Sequence, residues 1–219
     1  MPNSRFNSKA ISPTTLYILL ECPKCFWLKA KLRIYRPEKP VASITNGLDR
    51  VFKQYFDIYR ENKSLPPILD GQIKGRLIDI LPKAYYYNHQ DSGLLFWGKL
   101  DEVIDFEDGT FAAFDHKTRG STAPSVHPAH QLQMDSYDLL LEENGRPTKA
   151  KAYLAYWIPT SGQLHSGVPF NVELKEIATN SDRVRDLLLK AAMILENSNP
   201  PAAAGDCIFC SWAQNLPRS

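Results

Sequence analysis

The chain has 219 residues, 43% of them hydrophobic and 23% charged, with a formal net charge of +2 at pH 7. That length and balance fit one globular domain with appendages and exclude a disordered or fibrous chain. Four cysteines are too few for a disulfide scaffold, and the N-terminal apolar run, Leu16 to Leu20, is too short for a membrane span or a signal peptide. The expected setting is therefore cytoplasmic, where thiols stay reduced and bind metals or do chemistry. The near-neutral total conceals a divide: residues 1–40 carry +6 and residues 41–219 carry −4. A basic end beside an acidic body can bind a polyanion at one place and hold carboxylates at another, although a solvated lysine-rich helix face has the same composition.

In chain order, Ser12-Pro13 supplies an N-cap and a first-turn proline for a helix that runs to Glu21-Cys22. Pro23 either bends that helix or opens a second one through Phe26-Trp27-Leu28. Residues 37–46 read as a loop. From Asn46-Gly47 an amphipathic helix follows, with Leu48, Val51, Phe52, Tyr55, Phe56 and Tyr59 on its apolar face. Pro66-Pro67 closes that region, and residues 68–92 accommodate two short strands or a helix. Residues 94–106, LLFWGKLDEVIDF, read as one strand, Glu107-Asp108-Gly109 as a hairpin turn, and 110–118, TFAAFDHKT, as its partner. A helix from about Pro128 to Glu143 ends at Asn144-Gly145. Residues 149–158 alternate as a third core strand. A last long helix starts near Ser181 and buries Val184, Leu187, Leu188, Ala191 and Leu195, before Pro200-Pro201 and a short tail. The order gives an α/β fold around a mixed sheet.

Chemistry concentrates at two places. Asp115 and Lys117 alternate with His116 and so share one strand face with Phe111 and Ala113, while Asp101 lies fourteen positions earlier across the turn. Two carboxylates facing one site are hard oxygen ligands for Mg²⁺ or Mn²⁺, and a neighbouring lysine can assist a metal-bound water and offset phosphoryl charge. A surface hairpin with a solvated Lys–Asp pair has the same short pattern. The cysteines fall in two identical spacings, Cys22-Pro23-Lys24-Cys25 and Cys207-Ile208-Phe209-Cys210. Two C-x-x-C pairs with none left over point to one four-thiolate site, holding zinc or an iron–sulfur cluster, that ties the N-terminal helices to the C-terminal tail.

Taken together, Gly98-Lys99-Leu100-Asp101, Asp115-His116-Lys117-Thr118 and Gln133-Met134-Asp135-Ser136-Tyr137 resemble the motifs of the PD-(D/E)XK nuclease superfamily. The chain is most similar to its RecB-like branch, including CRISPR-associated exonucleases that carry an iron–sulfur cluster. This resemblance implies a restriction-endonuclease-like core, a central mixed β-sheet flanked by helices, over residues 46–160 of one nuclease domain spanning 1–219. Residues 12–36 and 202–213 would form the cysteine region. The implied activity is a Mg²⁺- or Mn²⁺-dependent deoxyribonuclease, an exonuclease on single-stranded DNA in repair, recombination or CRISPR-type processing. Asp101 and Asp115 would hold metal, Lys117 would be the catalytic lysine, and Gln133 and Tyr137 would border the site, with His130 and Gln131 as lesser candidates. Asp49 is the best match for a further ligand from an earlier helix; a first-turn acid favoured by the helix dipole is its other reading. Cys22, Cys207 and Cys210 match the relatives' arrangement and Cys25 completes four, so a [4Fe–4S] cluster is expected, with Zn²⁺ as the alternative. Lys29, Lys31, Arg33 and Arg36 would track a phosphate backbone. The rival from another class is a non-catalytic nucleic-acid-binding module with a structural zinc.

Overall fold

The computed structural model describes residues 10–37, 43–122 and 124–214. Its elements begin β1 (Ala10–Ile11), α1 (Pro13–Glu21), α2 (Pro23–Leu32), α3 (Ser43–Glu61), β2 (Arg76–Leu77), β3 (Tyr85–His89) and β4 (Leu94–Gly98). They continue as β5 (Glu102–Asp105), β6 (Phe111–Thr118), α4 (Pro128–Glu143), β7 (Lys151–Pro159), β8 (Phe170–Ala178), α5 (Ser181–Glu196) and α6 (Ile208–Gln214). The chain separates into two compact units, one drawn from Met1–Pro40, Tyr86–Gly98 and Asp182–Ser219, the other from Val41–Tyr85 and Lys99–Ser181.

The first unit is mainly helical. Ser12 accepts from the Thr15 amide and Pro13 takes the first helical position, so α1 starts as the sequence predicts. Pro23 opens α2 rather than bending α1, with Cys22 between the two helices as the N-cap of α2. β4 pairs in parallel with β1 and is the middle strand of the order β1-β4-β3. Its Leu94, Phe96 and Gly98 alternate inward. In α5, Val184, Leu187, Leu188 and Ala191 form the buried face, and the Trp27 indole donates to the carbonyl of Asn197 just beyond it.

The second unit is the mixed sheet, in the order β2-β5-β6-β7-β8. β6 and β7 are parallel, with α4 as their crossover, and the other pairs are antiparallel. Alternation along β6 decides what each face holds. Phe114 and His116 meet Phe56 of α3, in a core with Phe52, Ile104, Ala112, Tyr153 and Trp157. Asp115 faces α4 instead, where Gln133 reaches it.

Three expectations differ from the structure. Residues 94–106 are not one strand: β4 belongs to the order β1-β4-β3, and the chain leaves it at Gly98 to enter β5 at Glu102 in the larger sheet. The apolar run on both sides hid a break that Lys99 and Asp101 mark as polar. The amphipathic helix starts at Ser43, because nothing in Ile44-Thr45-Asn46 breaks a helix and Gly47 is tolerated in its second turn. Residues 38–42 of the expected loop lie outside the described residues. Within α3, Val51 is 52% exposed, since the buried rings of Phe52 and Phe56 define a narrower stripe than the apolar count implies. The ambiguous stretch 68–92 resolves into β2 and β3, two short strands.

Candidate active site and cysteine centre

The strand register builds the acidic site. Glu102 pairs with Phe114 across the β5–β6 ladder, so Asp101 stands opposite Asp115 one step beyond it. Asp101 is fixed there by its own carboxylate, which accepts the backbone N–H of His116 at 3.3 Å. Asp115 is fully buried and ion-paired with Lys117, as i and i+2 on one strand face allow. From α4, the Gln133 amide donates to Asp115 Oδ1 at 3.0 Å and to the Tyr137 hydroxyl at 2.7 Å. Tyr137 in turn donates to the Lys99 carbonyl at 2.6 Å. Gln133 and Tyr137 are one turn apart, so a single helix face ties the buried carboxylate to the chain segment that carries Asp101. Both amide hydrogens of Gln133 are used, which fixes its orientation.

A residue that sequence reasoning missed completes the cluster. Lys53 of α3 lies 2.9 Å from Asp101 and 3.0 Å from Asp49. Asp49 therefore reaches this corner through an ammonium, and Lys53 stands between it and Asp101. The signal was present, since Asp49 and Lys53 are spaced i, i+4 with the acid first, but such pairs are common on exposed helix faces. Burial pushes Asp101 up, yet the hydrogen bond and charge of Lys53 outweigh it and hold the carboxyl below its usual range. Burial pushes Asp115 up, and neighbouring Asp101 adds to that, while Lys117 opposes them. The two carboxyls are thus pushed in opposite directions.

The donor set fits a divalent ion. Asp115 Oδ2 is buried and meets the Lys117 ammonium, with no other hydrogen-bond donor on it among the described residues. Hard carboxylate oxygens, one without a hydrogen bond, suit Mg²⁺ or Mn²⁺, whose charge would relieve the repulsion between the two acids.

His116 points away from the acids into the aromatic core, where Trp157 donates to its Nδ1 at 3.1 Å and burial lowers its pKa to about 4. His130 lies against Tyr156, Nδ1 to hydroxyl 3.2 Å, and burial with the charge of Lys117 lowers it to about 4 as well. Gln131 is spent on Asp135 and the Ala178 carbonyl. Around Tyr156, two cations missed by sequence reasoning lie over the ring, Arg119 at 5.1 Å and Lys175 at 5.9 Å. Tyr156 is the register partner of Lys117, so these cations border the acidic corner on the same sheet.

The four cysteines come together in the first unit. One sulfur from each of Cys22, Cys25, Cys207 and Cys210 lies within 4.8 Å of the others. Of the four basic residues expected to track phosphate, Lys31 donates to the carbonyls of Leu195 and Asn197 at the end of α5. Arg36 is ion-paired with Glu21 and lies 4.7 Å over the Phe209 ring beside the cysteines. Lys29 is half-buried, and burial followed by the charge of Arg36 lowers its pKa. Arg33 ends α2 in the left-handed conformation. None of the described helices is long and apolar enough to cross a membrane.

The family model of the PD-(D/E)XK nuclease superfamily matches residues 44–214, most of the chain. The chain belongs to that superfamily. Among solved structures it is similar to the crystal structure of SSO0001, with a TM-score of 0.51 and 16% sequence identity over 95% of this chain and 86% of that one. At that identity the likeness speaks for the fold. No curated protein matches the chain. As a PD-(D/E)XK protein it has a mixed sheet flanked by helices, and membership brings metal-dependent nuclease activity on nucleic acid in general terms.

Proposed function

We propose that this PD-(D/E)XK protein is a Mg²⁺- or Mn²⁺-dependent deoxyribonuclease of the RecB-like kind, an exonuclease on single-stranded DNA in repair, recombination or CRISPR-type processing. The whole chain, 1–219, would serve as one nuclease domain. The observation that carries the reading is the meeting of Asp101, Asp115, Lys117, Gln133 and Tyr137 at one corner of the sheet, from three separated segments. Ordinary surface hairpins bury no such acid.

Asp101 and Asp115 would hold the divalent ion, which when bound supplies a polarised phosphoryl oxygen and a more acidic water. Asp49 is a further candidate ligand once Lys53 moves aside. Lys117 carries the next charge along the strand, so its ammonium can steady the attacking water and the charge that grows on the phosphoryl oxygens. Gln133 keeps Asp115 in one orientation, and Tyr137 pins the Lys99 peptide that positions Asp101. Arg119 and Lys175, beside Tyr156, offer phosphate contacts and a ring on which a base can stack. Incubation of labelled single-stranded DNA with Mn²⁺ tests this reading: wild type cleaves it, and Asp101→Ala, Asp115→Ala and Lys117→Ala do not. Intact DNA in every sample, with binding retained, would favour the non-catalytic module.

A further inference from the structure

We infer that the four cysteines hold a single tetrahedral Zn²⁺ with Arg36 as its counter-charge, in place of the iron–sulfur cluster that the family resemblance implies. The sulfur separations carry the first half of this statement. Cys22 and Cys210 are 3.8 Å apart, and Cys25 is 3.6 Å from both Cys207 and Cys210. Thiolates at about 2.3 Å from one tetrahedral ion lie about 3.8 Å from each other, the edge of that tetrahedron. In a four-iron cluster each thiolate takes a different iron at a different corner, so the sulfurs must stand much further apart. The cysteine group fits one ion and does not fit the cluster.

The surroundings are those of a closed structural centre. Cys22, Cys25 and Cys207 are buried, and the Ala204 amide donates to Cys22 Sγ at 3.5 Å. Cys22 caps the N-terminus of α2 and Pro23 fills the first helical position, so this C-x-x-C pair is held by a helix start with no lost hydrogen bond. The tie between Cys25 and Cys207 closes a loop across 182 positions.

Arg36 carries the second half. Four thiolates around Zn²⁺ leave two negative charges in a largely buried place, which is costly unless paired. The Arg36 guanidinium lies over the Phe209 ring in the middle of the second cysteine pair, is held by Glu21, and interacts electrostatically with the Cys25 sulfur. Its buried Nε has no hydrogen-bond partner among the described residues, a donor left over for the excess charge of such a centre. Arg36 is thus a positioning and charge-balancing residue for the metal, rather than part of the DNA track.

The test is metal and sulfide analysis of the full chain, purified anaerobically from cells supplied with both iron and zinc. The expected protein is colourless, carries about one zinc per chain with no acid-labile sulfide, and gains the intense visible bands of tetrahedral thiolate when Co²⁺ replaces zinc. A brown protein with iron and sulfide in equal amounts overturns the inference, as does a protein with neither metal and four freely titrating thiols. For Arg36, competition with a chromogenic chelator is read on Arg36→Met and Glu21→Gln. Zinc affinity should fall about tenfold in Arg36→Met, the usual scale for groups behind the ligands, and stay near wild type in Glu21→Gln. Equal losses in both variants, or none in Arg36→Met, overturn its role and leave the zinc assignment standing.

Discussion

The cysteine centre and the acidic corner gather their ligands in opposite ways. At the cysteines, four like groups meet with one arginine beside them, so among the described residues a single positive charge faces what would be four thiolates, and a bound cation would supply the rest. At the acidic corner, Lys53 and Lys117 already stand against Asp101 and Asp115, so part of the acids' charge is offset within the chain. On the readings proposed above, the contrast would separate a metal that builds structure from one that is recruited for chemistry. If the cysteines hold zinc, its removal should cost fold, whereas removing Mg²⁺ or Mn²⁺ should cost activity and only the smaller stability that binding of a weakly held ion adds.

The strongest way to break this contrast is to remove the cysteine metal. Chelation under denaturing conditions, or Cys22→Ala with Cys207→Ala, should lower unfolding free energy by several kcal/mol, because metal binding is then folding energy. Chelation of Mg²⁺ and Mn²⁺ alone should lower the thermal midpoint much less than loss of the cysteine metal does. Next in size is Phe56→Ala, which empties a fully buried ring site under the larger sheet and should cost about 3–5 kcal/mol in denaturant melts.

Arg60→Ala tests how the larger sheet tolerates buried charge near the acids. Arg60 pairs with Glu102, a carboxyl with almost no exposure, and burial pushes that carboxyl up to about 7 against the pull of Arg60. A raised folded pKa means that Glu102 binds its proton in the fold below about 7 and loses that contribution as pH rises through 7. The loss in Arg60→Ala should therefore be about 3 kcal/mol at pH 8 and smaller at pH 5, where the acid is neutral without its partner. A loss independent of pH would show that Arg60 acts by packing. The smallest effect sharpens the contrast itself. Lys53→Met should tighten Mn²⁺ binding severalfold, since one ammonium no longer competes for Asp101 and a half-exposed pair is worth about 1 kcal/mol. Unchanged or weaker binding would mean that Lys53 does not stand in for the metal.

Much of this was legible in the sequence where the signal is local. Ser12-Pro13, Pro23 and Asn144-Gly145 set the ends of α1, α2 and α4 through capping and fixed dihedrals, and the two C-x-x-C pairs announced their own convergence. Asp101 facing Asp115 followed from counting back across a hairpin turn. What failed was non-local. The apolar run 94–106 gave no sign that Leu94–Gly98 pairs with Ala10–Ile11 while Glu102–Asp105 pairs with β6, because partner choice depends on residues far away in the chain. β8 escaped notice because FNVELKEIA mixes charge into an edge strand that is only half-buried. Lys53 looked like any lysine on the polar side of α3, and no local pattern tied Arg36 to Glu21 and Phe209.

As proposed, Asp101, Asp115 and Lys117 would form one catalytic corner for metal-dependent DNA hydrolysis. Its most direct test is the rate of Mn²⁺-dependent cleavage of labelled single-stranded DNA by wild type and by Lys117→Ala, with folding checked by circular dichroism and Mn²⁺ binding by calorimetry. The rate should fall about 10²–10³-fold in Lys117→Ala with Mn²⁺ still bound, because the lysine would act on the reacting group and not as a ligand. A folded, Mn²⁺-binding Lys117→Ala that cuts DNA at the wild-type rate would contradict it.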